Sequence, residues 1–484
     1  MKIHKEIISI INKLEKKGFE AYLVGGCVRD FLKNREPEDW DIATNARPEE
    51  IIKVFPKSFS DNKFGTVRVL TGSKNQRLKE VEITPYRIDE KYSDRRHPDK
   101  VVWAKTIKED LSRRDFTINA MAIGVRKPLS IIDPSNGQKD LKNRIIRAVG
   151  NPQDRFSEDA LRMMRAVRFS VCLDFKIEEN TASAISKNSF WLSAISKERI
   201  RDEFLKIIMS DKASKGIEVL RELGLLKHIV PELEEGYGVS QNKHHIYNCY
   251  EHSLKSLDYA AKKNFNKYVR LTALFHDIAK PRVKKGEGPD STFYNHEVVG
   301  AKMTAQILER LRFSKKDIEK IVKLVRYHLF YYNVGEVSEA SVRRLVSRVG
   351  IENMDELLQV RMADRIGSGV PKAEPYKLRH LRYIIEKASR DPISSKMLKV
   401  NGNDVMKILN IKAGPKVGLI LEILLGLVLS DPKNNKKEFL RREIKNLGNK
   451  PDDNLKGLAF KAKKEREDIE TKKDRMTKEK YWVS

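Results

Sequence analysis

The sequence predicts an α+β protein, a mixed head followed by a long succession of helices. Three observations predict it. Short apolar runs alternate with helical spacings and turns as far as about residue 145. From Arg155 to about residue 430, long helical periodicities dominate. Hydrophobic residues make up 40% of the 484, enough for real cores and too many for a disordered chain.

Within the head, Ile3, Ile7, Ile8, Ile11 and Leu14 recur at helical spacing. Ala21–Val24 reads as a short buried strand, broken by Gly25 and Gly26. Asp39–Ala43, Thr66–Leu70 and Val81–Arg87 read as further strands. In the helical region, Lys284–Thr292 is a Gly/Lys/Pro-rich loop. The most apolar stretch, Val417–Leu429, has 13 residues and contains Glu422. A membrane span needs about 20, so this reads as a buried helix. From about Asn449 the chain mixes 11 Lys/Arg with 8 Asp/Glu, a solvated helix or a disordered tail.

Charge and cysteine usage narrow the class. Lys+Arg is 96 and Asp+Glu 68, a net charge of +28, which favours polyanionic partners such as nucleic acid or anionic membrane. The three cysteines, Cys27, Cys172 and Cys249, are far apart and form no C-x-x-C. That excludes a disulfide scaffold and a Cys-type zinc finger, and fits a reducing cytosol. Met1 to Phe19 carries charges throughout and lacks the apolar centre of a signal peptide. A cytoplasmic protein with no membrane partner is expected.

Chemistry enters at Leu-Val-Gly25-Gly26-Cys-Val-Arg29-Asp. Glycines between a strand and a helix let backbone N–H groups approach a phosphate, and the helix start adds positive potential. Arg29, about one turn on, could reach the same phosphate. Then comes Glu38-Asp39-Trp40-Asp41. On a strand Asp39 and Asp41 share a face, with Trp40 opposite. Two carboxylates side by side repel unless a cation sits between them. Mg²⁺ with substrate phosphates suits such oxygen ligands. Glu82 on a later strand is a candidate third carboxylate.

This stretch resembles the first motif of the class II tRNA nucleotidyltransferase/poly(A) polymerase family, within the polymerase-beta-like nucleotidyltransferases. The resemblance continues in order over about residues 20–210. Asp110-Leu-Ser-Arg-Arg114-Asp115-Phe-Thr-Ile-Asn119 matches the motif that reads ribose and phosphates. Asp133 to Asp140 resembles the hinge motif, and Glu158-Asp159-Ala-Leu-Arg162-Met-Met-Arg165-Ala-Val-Arg168 the base-reading motif. Lys197-Glu198-Arg199-Ile-Arg201-Asp-Glu203 resembles the last. Tyr92 to Pro98, with Asp94, Arg95 and Arg96, resembles the flexible loop that supports switching from C to A.

The base-reading motif makes chemical sense unaided. Asp159, Arg162, Arg165 and Arg168 are spaced by three on a predicted helix and form a stripe. A carboxylate accepts from the exocyclic amine of cytosine or adenine, and a guanidinium donates to the ring nitrogen beside it. One such pair accepts C and A and rejects U and G. The resemblance assigns that templating to Asp159 and Arg162, leaving Arg165 and Arg168 for phosphates or RNA. It implies that Asp39 and Asp41 are the catalytic, Mg²⁺-holding residues and that Gly25, Gly26, Arg29, Arg114, Asp115 and Asn119 bind nucleotide.

A second constellation follows. Glu251-His252, His276-Asp277-Ile-Ala-Lys280, Asn295-His296, Tyr327-His328 and Met362-Ala-Asp364-Arg365 hold histidines and carboxylates in the order H…HD…H…H…D. That order resembles the HD-type metal-dependent phosphohydrolases. His252, His276, Asp277 and Asp364 are the expected ligands, and His296 and His328 additional candidates. Imidazole and carboxylate suit a transition metal such as Mn²⁺, Ni²⁺ or Co²⁺. HD domains of this family act as hydrolases or only scaffold RNA; the intact ligand positions favour a bound metal.

The resemblances together imply a polymerase-beta-like nucleotidyltransferase head (1–145), an all-α neck for base recognition (146–215), an HD-type helical body (216–395) and a helical RNA-binding tail with a basic extension (396–484). The expected activity is addition of CCA to tRNA from CTP and ATP without a nucleic-acid template. An A-only adder, a poly(A) polymerase, or principally an HD phosphohydrolase with a nucleotide-recognising head remain open alternatives.

Overall fold

A computed structural model describes residues 3–60, 65–90, 100–126, 128–242, 246–388 and 395–483. Among the described residues the head is built on nine strands: β1 (Ala21–Val24), β2 (Asp41–Thr44), β3 (Ser58–Ser60), β4 (Val67–Leu70), β5 (Glu80–Pro85), β6 (Arg87–Glu90), β7 (Lys100–Trp103), β8 (Ala122–Gly124) and β9 (Ser130–Ile132). Seven form one sheet in the order β3-β4-β5-β2-β1-β8-β9, and β6 and β7 pair separately. The β2–β5 pair is parallel, with Asp41 opposite Glu82. β1 is antiparallel to both β2 and β8.

Helix Lys5–Lys16 buries Ile7, Ile11 and Leu14 in one apolar cluster with Leu23, Ile42, Val81 and Ile83. Trp40 belongs to that cluster and is 2% exposed. Val24, Ala43, Tyr86 and Leu111 form a second cluster. The expected strand over Asp39–Ala43 begins later, at Asp41. Its pairing with the parallel strand β5 starts only at Asp41 opposite Glu82, and Asp39 sits in a bend before it.

By compactness the chain divides into two units, residues 1–329 with 359–373, and residues 330–358 with 374–484. In the first unit a single apolar core runs from Phe116 through Val167, Phe204 and Leu271 to Val325. Arg270 is fully buried within it. Its guanidinium donates to the carbonyls of Ile208, Ser210, Ala261 and Phe265. It thereby neutralises the negative ends of helices Lys197–Ile208 and Cys249–Lys262 together.

The second unit is helical. Helix Pro415–Ser430 buries Ile420, Ile423, Leu424, Leu425 and Val428, as its apolarity predicts. The charged C-terminal stretch is one helix, Asp452–Tyr481, rather than disordered. It packs on Pro415–Ser430 through Leu455 and Ala459, and Arg466 pairs with Glu422 at 2.6 Å. Among the described residues no helix is long and apolar enough to cross a membrane.

Candidate functional site

The head site gathers at the end of β1 and the start of β2. Gly25 ends β1 with φ +76°, a conformation that favours glycine. A Cβ there would lie 3.1 Å from Arg114 Nη1 and 3.6 Å from Asp41 Oδ2. The first two motifs therefore meet at Gly25. Gly26 opens helix Gly26–Leu32, which carries Arg29.

Asp39 is exposed, whereas Asp41 is partly buried. Burial pushes the Asp41 carboxyl up to about 6; Arg114 pulls against this, and Glu82 and Asp39 add to it. Two neighbouring carboxylates thus add to burial in disfavouring the charged form of Asp41. Glu82 also holds Arg68 at 3.2 Å.

The remaining motif residues form a connected polar chain. Arg29 donates to Asn119 Oδ1 at 2.9 Å, and Asn119 donates to Asp115 Oδ1 at 3.3 Å. Asp115 Oδ2 accepts from Arg165 at 2.8 and 2.6 Å. Burial would push Asp115 up, but Arg165, with Arg162 and Asn119, outweighs it and holds the carboxyl at about 2. Arg114 is fixed by Asp110 at 3.0 Å. Helix Ile107–Ser112, which carries Asp110, starts in a capping box of Thr106 and Glu109.

The expected helical stripe is corrected at its first member. Helix Leu161–Leu173 carries Arg162, Arg165 and Arg168, but Asp159 lies between helices with φ −145°. Its carboxylate accepts the Leu161 N–H at 3.1 Å, a local turn bond that competes with continuing the preceding helix. The other Asp159 oxygen accepts from Arg199 at 2.6 Å. Arg162 pairs with Glu158 and donates to the Arg113 carbonyl at 3.0 Å. Arg168 pairs with Glu203 at 2.7 Å. Glu158, Arg199 and Glu203 are partners that sequence reasoning left without a role, although all three stand in the motifs it quoted. Asp94, Arg95 and Arg96 lie outside the described residues.

The second constellation converges from five helix ends. Asn248 and Glu251 form the capping box that starts helix Cys249–Lys262 and fixes His252 on its first turn. Asn266 caps Lys267–Phe275, and His276 follows at its end. His296 opens helix His296–Arg310, and His328 closes Lys315–Tyr327. Asp364 comes from helix Ile351–Gly367. Gly367 permits that approach, since a Cβ there would lie 2.1 Å from Ser256 Oγ and 2.9 Å from the His252 carbonyl.

Two groups of donor atoms result, His252/His276/Asp277/Asp364 and Asp277/His296/His328, with Asp277 common to both. His252 Nε2 lies 2.9 Å from His276 Nε2 and 3.1 Å from Asp277 Oδ2. Asp277 Oδ1 is 3.4 Å from His296 Nε2 and 3.6 Å from His328 Nε2. His276, His296 and His328 each direct Nδ1 at a carbonyl three residues earlier, at 2.9, 2.8 and 2.7 Å. That orientation presents Nε2 to the cluster, as metal-ligating histidines do. Burial alone would raise Asp277; Lys280 at 2.7 Å and His276 outweigh it and hold the carboxyl well below the usual range. Asp364 is held low against burial by His276 and by Arg361. The donor chemistry fits a divalent transition metal. Above it opens a pocket of about 510 Å³ whose lining includes Lys280, Ser291, Phe293, Arg361 and Arg365.

The chain is similar to known proteins along most of its length. Residues 21–147 match the poly A polymerase head domain, 174–236 the probable RNA and SrmB-binding site of polymerase A, and 249–366 the HD domain. The CCA-adding enzyme of Ligilactobacillus salivarius is 33% identical over 459 residues, covering 91% of this chain and 98% of that one. The Bacillus stearothermophilus CCA-adding enzyme in complex with CTP superposes with a TM-score of 0.59 at 28% identity, covering 92% of this chain and 98% of that one. The Thermotoga maritima CCA-adding enzyme complexed with tRNA shares the fold, with a TM-score of 0.51 at 21% identity over 91% of this chain and 95% of that one. With a relative matched at one-third identity along nearly its whole length, the chain belongs to the family of CCA-adding enzymes.

Proposed function

We propose that this protein completes tRNA 3′ ends, adding C, C and A from CTP and ATP without a nucleic-acid template. The full-length likeness to CCA-adding enzymes carries this reading over the A-only and poly(A) alternatives. Asp39 and Asp41 would hold Mg²⁺, with Glu82 beside Asp41. When bound, the ion would lower the pKa of the RNA 3′-hydroxyl, orient the triphosphate and steady the departing pyrophosphate. The backbone at Gly25 and Gly26, with Arg29 and Arg114, would hold the triphosphate. Asp115 and Asn119 would orient the ribose. Asp159 would accept from the amine of C or A while Arg162 donates to the adjacent ring nitrogen, so protein side chains replace a template. Arg165 and Arg168 would serve phosphates or RNA. The four-part division at 145, 215 and 395 belongs to the same proposal.

A second reading is favoured by the pocket over the His/Asp cluster. The HD site would hold Mn²⁺, Ni²⁺ or Co²⁺ and hydrolyse phosphate esters. Water oxygen bonds to phosphorus, the ester P–O bond breaks, and the alcohol leaves with a proton.

The test of the first reading is incorporation of labelled CTP and ATP into a tRNA transcript by Asp41→Asn. We expect loss of both incorporations by about 10³-fold or more, the scale of a removed transition-state stabiliser. Undiminished incorporation would overturn the assignment of the head site.

A further inference from the structure

Besides the candidate metal ligands Asp277, His296, His328 and Asp364, the pocket over the His/Asp cluster is lined by further polar groups. Arg361 and Arg365 stand four residues apart on one face of helix Ile351–Gly367, and both line it. Arg361 pairs with Asp364 at 2.7 Å. Arg365 donates instead to a neutral acceptor, the Lys372 carbonyl, at 3.3 and 3.2 Å. Arg365 thus brings to the lining a guanidinium held by a backbone carbonyl, whereas that of Arg361 is held by a carboxylate.

An independent observation points to a ligand at the same place. Ser291 is 2% exposed and lines the pocket, yet its hydroxyl has no hydrogen-bond partner among the described residues. The buried amide oxygen of Asn242, also in the lining, has none either. A buried polar group left unpaired is costly, and a bound polar ligand would relieve that cost. Phe293 and Tyr294 add aromatic surface to the lining.

We propose that Arg365, together with Arg361 and Ser291, is the phosphate-binding wall of this pocket, and that its ligand is a phosphomonoester. This rests on the phosphoesterase reading of the HD site and deepens it, because it names the residues that hold the substrate rather than the metal. The planar Arg365 guanidinium would grip two phosphate oxygens, and the Ser291 hydroxyl would donate to a third. Phe293 and Tyr294 would meet the organic part of the ester.

The test uses the full-length protein loaded with Mn²⁺. Binding of inorganic phosphate is measured by calorimetry, alongside hydrolysis of p-nitrophenyl phosphate, for wild type, Arg365→Gln, Arg365→Lys and Ser291→Ala. Arg365→Gln should weaken phosphate about tenfold and raise KM about tenfold, with kcat within about twofold and Mn²⁺ affinity retained. Arg365→Lys should recover part of the loss, and Ser291→Ala should cost about threefold. Unchanged phosphate affinity and KM in Arg365→Gln overturn the proposal. So does a parallel loss of Mn²⁺ affinity, which would make Arg365 a support for Asp364. A wild type that binds Mn²⁺ but no phosphate overturns it as well. A wild type that binds phosphate but hydrolyses nothing sinks the phosphoesterase reading alone and supports the wall. Adenosine monophosphate as a competitor separates the sources. Binding tighter than inorganic phosphate supports an ester whose base meets Phe293 and Tyr294, and weaker binding than inorganic phosphate overturns the ester assignment.

Discussion

Asp41 and Asp115 are both acidic residues of the head site, and their surroundings drive them in opposite directions. Asp41 is raised from 3.8 to about 6. Its charged form therefore opposes folding, a cost that sets in as pH rises through about 4 and is complete above about 6. Asp41→Asn should raise the metal-free Tm at pH 7 by on the order of 2 °C while incorporation is lost; scanning calorimetry without divalent ions checks this. Asp115 is lowered from 3.8 to about 2. It stabilises the fold fully above about pH 4, and that contribution disappears as pH falls through 2. The difference corresponds to about 2 kcal/mol. Asp115→Asn should lose about that much at pH 7 in urea unfolding, and the gap to wild type should shrink by pH 2.

Much of the chemistry at this scale was legible, because each motif names its residues and their order. The ion-pair partners were not. Whether Asp159 faces Arg199, or Arg168 faces Glu203, is decided by helix packing between segments about 40 residues apart. The unpaired hydroxyl of Ser291 was equally hidden, inside a stretch whose composition reads only as a loop.

At the scale of elements, helix ends do most of the positioning. All six HD-type donors sit at or within one turn of a helix terminus: His252, His276, Asp277, His296, His328 and Asp364. Capping residues such as Asn248 and Asn266 fix those termini, and both stand plainly in the sequence. The close crossing at Gly367 does not, since nothing local distinguishes it from any other glycine near a helix end. A methyl group there would meet Ser256 and the His252 backbone. Gly367→Ala should gain up to about 1 kcal/mol in helix propensity but lose about 1–3 kcal/mol to overpacking. We expect net destabilisation and at least a tenfold loss of Mn²⁺ affinity, read by calorimetry on the full chain. The break at Asp159 was misread for a related reason. Spacing by three fits a helix, but an aspartate can accept the N–H two residues on and turn the chain instead.

For the whole molecule, the α+β head and helical remainder followed from texture alone, because strand and helix periods differ. The C-terminal helix could not be settled from composition, since a few apolar residues, Leu455 and Ala459 among them, anchor its first turns. The net charge of +28 acts at this scale too. Affinity for tRNA should fall by tenfold or more between about 50 and 200 mM salt, as counterion release requires when several phosphates are contacted. Filter binding across a salt series measures the slope.

Incorporation of labelled CTP and ATP, with Mg²⁺, into three tRNA transcripts tests the central claim most directly. One transcript ends at the discriminator base, one carries C and one carries CC. Completion of all three to CCA, with no further addition, is the predicted result. ATP joined only to the CC-ended transcript, long A tails, or no incorporation into any of them would contradict it.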